Sequence, residues 1–254
     1  SITTAEGREI AAECNAARVA LTVNYSFRYT RTTQLIRDLI VQGVVGELGG
    51  VTVSHLMFKG RAYWAGGYFG RTADNWRSIR EKAGGGVLIM GLVHSLDHVQ
   101  YVVGQRISQV FAQHANIDSP GDVEDTIALV GRFAGGAIAS WTASTCHRGR
   151  AHREERLWGR GGSITVDDGV VSFFTTERTG RWSPGRVHVV RQKDDGQHTR
   201  RFVERFVEAI SRGEQPDITW EEALHVTVLV ESAYASALQG RAMHVCNPVE
   251  ISAG

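Results

Sequence analysis

Apolar residues at positions 88, 92, 96, 99 and 103 recur at the spacing of one helix face. Gly84-Gly85-Gly86 opens this segment and Gly104 closes it, where a C-cap glycine belongs. The pattern predicts a helix of roughly five turns. Met90, His94, Asp97 and His98 lie three and four residues apart, so they are expected on one face. Ionisable groups on a mostly apolar helix are costly to bury unless they are paired or put to use. That face is the first place to look for chemistry.

The same reading extends in both directions. Thr3 or Thr4 can cap a first helix running to about Ala17, with Glu6 in its first turn. The β-branched run Val19-Ala20-Leu21-Thr22-Val23 predicts a short strand leading into Asn24–Tyr29. Leu35, Ile36, Leu39 and Ile40 predict a helix over 31–42. Gly43–Leu48 reads as a turn into a strand with Val51, Val53, His55 and Met57 alternating. Residues 58–83 carry Gly, Arg and the aromatics Trp64, Tyr68, Phe69 and Trp76, a long loop of the kind that is usually functional. Beyond the central helix, strands are expected near 106–116, 125–133, 137–146, 154–159, 163–166, 170–176 and 186–192. Gly135-Gly136 and Asp167-Asp168-Gly169 supply hairpin turns. Two helices, about 198–212 and 219–239, end the pattern. Strands joined mostly by short turns predict an antiparallel sheet with helices on one face, an α+β architecture.

Composition narrows the function classes. The chain has 254 residues, 42% hydrophobic and 22% charged, which suits one large domain or one domain plus part of another. A formal net charge of +1 leaves no electrostatic footprint for nucleic acid or an anionic membrane. No apolar run approaches the ~20 residues needed to span a bilayer. Cys14, Cys146 and Cys246 are scattered, without metal or redox spacing, so a reducing, cytoplasmic setting is expected. The first residues show neither a leader pattern nor an initiator methionine, so the chain is expected to begin in mid-fold.

Among the candidate residues, His94 has the chemistry to move a hydroxyl proton, because an imidazole titrates near neutral pH. On the residues alone, a core histidine satisfied by a backbone carbonyl is the competing reading. Asp97, one turn on, suits orienting the imidazole, contacting a substrate hydroxyl, or an ordinary salt bridge. His94 and His98 have a spacing that can bind zinc, but no third ligand accompanies them and no metal site is expected. Trp76 and Arg77 suit either a lid over substrate or packing beneath a loop. The run from His147 to Arg156 suits an anionic ligand or a solvated strand face of mixed charge.

Several stretches together resemble the glucose–fructose oxidoreductase and inositol dehydrogenase family. They are Asn24–Tyr29, Gly43–Leu48, Trp76-Arg77, Gly84–Asp97, Glu124-Asp125-Thr126, Gly159–Ile164, and the closing helix with Ser236 and Gly240-Arg241. The resemblance implies a nucleotide-binding Rossmann domain followed by a domain whose large, open, mostly antiparallel sheet bears the substrate site. Residues 1–28 would be the last helix and strand of the first domain, and 29–254 the substrate-binding and oligomerisation domain. It implies hydride transfer with NAD or NADP on a small polyhydroxylated substrate such as a sugar or cyclitol. His94 would be the catalytic group and Asp97 its support. Trp76, Arg77, Met90 and His94 would meet substrate, and Arg28 and Tyr29 the cofactor. It further implies a homodimer or homotetramer through the sheet, to which Val130, Phe133, Ile138 and Trp141 would lend apolar surface.

The chain departs from the family pattern in two respects. No G-x-G-x-x-G occurs among its 29 glycines, and no Glu-Lys-Pro precedes Ser1. Met90 stands where an acidic or amide residue is usual, and the order Gly91-Leu92 is reversed. Two further readings follow: a non-catalytic binding or dimerisation module, and a glycosidase or lyase that uses bound NAD.

Overall fold

The computed structural model describes residues 2–66 and 74–246. The first helix, α1 (Thr4–Ala16), begins at a full capping box, in which Thr3 accepts from the Glu6 amide and Glu6 reaches back to the Thr3 amide. A single 3-10 turn over Ser26–Tyr29 and helix α2 (Arg31–Val41), capped by Thr30, follow. Strand β1 (Leu48–Leu56) leads to three short pieces of helix: α3 (Arg61–Gly66), a 3-10 turn at Trp76–Ser78, and α4 (Arg80–Ala83). The expected loop is therefore partly helical; Tyr68 and Phe69 lie outside the described residues. A π-helical turn, Leu88–Leu92, then runs directly into α5 (Val93–Val103).

Seven strands come next: β2 (Ile107–Ala115), β3 (Thr126–Phe133), β4 (Ile138–Ser144), β5 (His152–Gly159), β6 (Gly162–Asp167), β7 (Val170–Thr175) and β8 (Val187–Arg191). Helices α6 (His198–Arg212) and α7 (Trp220–Gln239) and the two-residue strand β9 (Met243–His244) follow. All nine strands form one sheet in the order β8-β7-β6-β5-β1-β4-β3-β2-β9. Every neighbouring pair is antiparallel except β1 and β4, which run parallel. The mostly antiparallel sheet expected is thus formed, with that one parallel pair. The reason for the pair is that β1 precedes the central helix and has no hairpin partner, so it enters the sheet between β4 and β5.

Alternation along the strands divides the sheet into two faces. Ile127, Leu129 and Phe133 of β3, Trp141 of β4, Val51 and Val53 of β1 and Leu157 of β5 are buried with the apolar side of α5 and with α7. Phe111, Val130, Ile138 and Trp158 are partly exposed on the other face. Phe133 and Trp141, expected to add to an outward surface, are thus core residues. Each lies on the opposite parity of its strand from Val130 or Ile138, and parity decides the face.

The predicted strand over 19–23 is not formed. No described strand lies beside it to complete a ladder; one tie is the Thr22 hydroxyl donating to the Ile218 carbonyl at 2.9 Å. The path from Arg80 to Val103 is long and apolar enough, by length and composition alone, to cross a bilayer. Instead Leu88, Leu92, Leu96 and Val99 are wholly buried in protein.

Candidate active site

The triple glycine sets the position of the central helix. Gly84 closes α4 in the left-handed region at φ 79°. A Cβ at Gly85 would overlap the Tyr234 hydroxyl, and one at Gly86 would overlap the Glu124 backbone carbonyl. Only a chain without side chains passes between α7 and the loop before β3. Glu124, buried at 1% exposure, receives the amides of Gly86 at 2.9 Å and Leu88 at 3.0 Å. It also accepts the Tyr234 hydroxyl at 2.8 Å, with Arg80 at 3.4 Å. A carboxylate thus serves the unpaired N–H groups where the helical path begins. Neighbouring Asp125 accepts the amides of Ile117, Asp118 and Ser119, which folds the preceding loop.

From this start the π-helical turn delivers Met90 and His94 to the wall of one cavity of about 210 Å³. Phe27, His55, Met57, Lys59, Tyr63 and Thr145 also line it. β1 and β4 run parallel, and both lead into this space at their carboxyl ends. Met57 and Lys59 bond to the carbonyls of Ser144 and Thr145 just past those ends. Crevices at the carboxyl ends of parallel strands are common ligand sites. His94 also borders a second cavity of about 460 Å³, lined by apolar side chains that include Leu21, Val23, Ile89 and Leu224.

His94 is half-buried between aromatic rings, with Phe27 at 5.3 Å and Tyr25 edge-on at 6.0 Å. Its Nδ1 is buried and has no hydrogen-bond partner among the described residues. Burial, and then the positive charge of Arg153, lower its pKa below the ordinary value, so the imidazole is neutral at neutral pH. Burial likewise lowers His55 to about 4, with Arg153 and Lys59 adding to the effect. Burial also lowers Lys59 and raises Tyr63.

The four helix residues expected on one face divide three ways. Met90 and His94 share the cavity. Asp97 turns to Arg28, whose Nη2 is 2.6 Å and Nε 3.0 Å from the carboxylate, while Nη1 donates to Glu222 at 2.8 Å. Burial pushes the Asp97 carboxyl above its usual range against the pull of Arg28. His98 turns to α2 and β5, with Nδ1 3.1 Å from the Thr33 hydroxyl and Nε2 2.8 Å from Glu155. Residues 97 and 98 stand ~100° apart on the helix, so neighbours in this stretch serve different elements.

The expectation that Asp97 supports His94 is therefore corrected: the carboxylate is committed to a buried ion pair. Arg28 is the other half of that pair and is 7% exposed, so the two residues named for separate roles meet each other. Tyr29 leaves the site altogether. Its ring lies against Phe202 at 6.1 Å and its hydroxyl donates to Asp217 at 3.2 Å. Trp76 and Arg77 stand behind the cavity wall, the Arg77 guanidinium lying 4.4 Å from the Trp76 ring and 5.4 Å from the ring of Tyr63. The run from His147 to Arg156 is mostly a solvated face, with Arg148 on Asp118 and Arg150 on Asp168. Two residues of the run turn inward, Glu155 to His98 and Arg153 to the ring of Phe27.

Sequence reasoning missed His55, Lys59, Tyr63 and Thr145 as site residues. His55 had a signal, since it continues the buried parity of Val51 and Val53. The other three had none, because the parallel pairing of β1 with β4 brings them together.

A curated relative, the 1,5-anhydro-D-fructose reductase of Ensifer adhaerens, is 27% identical over 142 residues, covering 56% of this chain and 40% of that protein. The match thus spans well under two thirds of the relative. An oxidoreductase domain protein from Kribbella flavida has the same fold, with a TM-score of 0.81 at 19% identity, over 97% of this chain and 72% of that one. So does an oxidoreductase from Agrobacterium radiobacter, solved with NAD+, L-tartaric acid and magnesium, at a TM-score of 0.80 and 15% identity over 96% and 70%. Residues 33–165, more than half of the chain and the whole stretch from α2 through the central helix to β6, match the GFO/IDH/MocA C-terminal domain, and the chain belongs to that family.

Proposed function

We propose that this chain is the substrate-binding half of an NAD- or NADP-dependent oxidoreductase acting at a carbinol carbon of a sugar, cyclitol or similar polyhydroxylated molecule. The observation that carries the reading is His94. Its imidazole is neutral, its Nδ1 is buried without a partner among the described residues, and it borders two cavities. A neutral imidazole accepts the hydroxyl proton as the alcohol becomes a carbonyl, and returns it in the reverse direction. The membership in this family and the resemblance to an anhydrofructose reductase support the substrate class.

The nicotinamide supplies the hydride acceptor or donor when bound. The largely apolar cavity beside His94 suits the flat face of a nicotinamide ring, whereas the chain's glycines offer no phosphate-binding turn. On this reading the nucleotide-binding half adjoins residues 1–28, and 29–254 carry substrate. Asp97 and Arg28 hold α5 and the turn at Ser26–Tyr29 in place rather than touching the reactants. Trp76 and Arg77 back the wall of the cavity, and Met90 gives it an apolar surface. The outward face of the sheet, with Phe111, Val130, Ile138 and Trp158, joins a second copy in a homodimer. A reducing, cytoplasmic setting fits the three free cysteines.

Turnover of the protein carrying both halves, measured over a panel of polyols with NAD and NADP, tests the reading. His94→Asn is expected to lower kcat by about a hundredfold or more and to move KM much less. Unchanged turnover in a folded His94→Asn protein overturns it.

A further inference from the structure

The wall of the cavity at His94 is one-sided in charge. Among the described residues its ionisable groups are Lys59, His55, Tyr63 and His94, and no carboxylate lines it. A second cation stands just behind, with the Arg153 guanidinium 5.2 Å from the ring of Phe27, which is part of the wall. The carboxylates flanking Arg153 in sequence have other bonds, Glu155 to His98 at 2.8 Å and Glu154 to Arg156 at 2.9 Å. At the position beside His94 the wall has Met90, whose thioether neither repels an anion nor accepts a strong hydrogen bond.

The hydrogen-bonding inventory points the same way. Lys59 offers donors only, Tyr63 a hydroxyl, and each neutral imidazole one donor and one acceptor. Hydroxyls of a neutral polyol need acceptors as well as donors, and acceptors are scarce on this wall. A carboxylate is an acceptor only, and its bonds to cationic donors are about twice as strong as neutral ones. Burial also disfavours the charged form of Lys59, a cost that an anion placed against it offsets.

We infer that the cavity takes a polyhydroxylated carboxylic acid, such as an aldonic or uronic acid, its carboxylate held at Lys59 and one carbinol hydroxyl at His94. The inference rests on the oxidoreductase reading and narrows its substrate class. Lys59 then selects for charge, while His94 handles the proton.

Calorimetry on the protein at fixed ionic strength, with D-gluconate and D-glucuronate against D-sorbitol and D-glucose, tests the inference apart from turnover. The acids are expected to bind about tenfold or more tightly than their neutral counterparts. Lys59→Gln should erase that ratio, Lys59→Arg should keep most of it, and Met90→Asp should weaken the acids more than the neutral polyols. A melting curve for each variant establishes that it is folded. Equal or tighter binding of the neutral polyols overturns the inference, as does a Lys59→Gln protein that keeps the ratio. Both results leave the oxidoreductase reading standing on the His94→Asn turnover. Failure of all four ligands to bind also overturns it.

Discussion

The carboxylate of Glu124 fixes where the His94 helix begins, so removing its charge tests the architecture of the site without touching His94. Each oxygen has two donors. Oε1 accepts from the Leu88 amide and the Tyr234 hydroxyl, and Oε2 from the Gly86 amide, with Arg80 at the edge of reach. In Glu124→Gln, whichever position the amide nitrogen takes, an NH2 group faces two donors. Flipping the side chain only changes which pair is lost. Two bonds to a charged acceptor go, each worth about 1.5–3 kcal/mol, and buried N–H groups at the helix start are left unpaired. The expected loss is about 3 kcal/mol or more, since Glu124 has no water to turn to at 1% exposure. For a chain of this size that lowers Tm by about 6–12 °C. Scanning calorimetry measures the shift, and hydrogen exchange should show the amides of Gly86 and Leu88 losing protection. Tyr234→Phe removes one of the four donors and should cost clearly less. A Tm change in Glu124→Gln within about 2 °C, with those amides still protected, would falsify the claim that Glu124 anchors the helix.

Three other outcomes are expected. Burial holds the pKa of His225 and of His55 at about 4, against 6.5 in an unfolded chain. Between those values the unfolded state binds more protons, so stability is full above pH 6.5 and falls as pH drops toward 4. For the buried His225 the loss is about 2 kcal/mol by pH 5, and the Tm of His225→Gln should depend less on pH than that of the parent; an identical slope would count against it. Second, Asp97→Leu and Arg28→Met alone should each cost about 3–5 kcal/mol by stranding a buried charge, while the double variant recovers most of that in urea melts; simple additivity would contradict the pairing. Third, light scattering should give twice the 27.8 kDa of one chain, and Val130→Glu with Phe111→Glu should shift it to the monomer. A parent that is monomeric at working concentration removes the sheet face as an interface.

The two sides of the sheet and the two ends of the central helix show how local signals were settled by contacts between distant segments. Glu124, part of the Glu124-Asp125-Thr126 stretch that carries the family resemblance, serves amides 36 and 38 residues before it. The hairpin turn at Gly159–Gly162 docks on the turn at Gly43–Leu48, the amides of Arg160 and Gly161 donating to the carbonyls of Glu47 and Val45. Two stretches that looked like separate landmarks are one contact. His94 itself was legible as a candidate, because a histidine on a mostly apolar helix, among other polar residues on the side away from the leucines, calls for an explanation. Its partners were not, because a helix turns ~100° per residue and sequence does not say what stands opposite each direction.

By itself, the sequence determined the five longer helices, the strands that alternate after Gly104, and the turns that join them. Caps, periodicity and turn glycines act within a few residues, and Thr3, Thr30, Gly104, Gly213 and Gly240 hold the cap positions their chemistry suits. It also placed the chemistry on α5. Tertiary structure alone decided the rest. Residues 19–23 have strand composition but no neighbouring strand among the described residues, and a ladder needs two partners. β1 lies parallel to β4, joining Lys59 and Thr145 to a site that begins at His94, because edges unpaired by hairpins must find partners elsewhere in the sheet. Arg28 and Asp97 are 69 residues apart, and buried charges pair with whatever opposite charge the packing brings within reach.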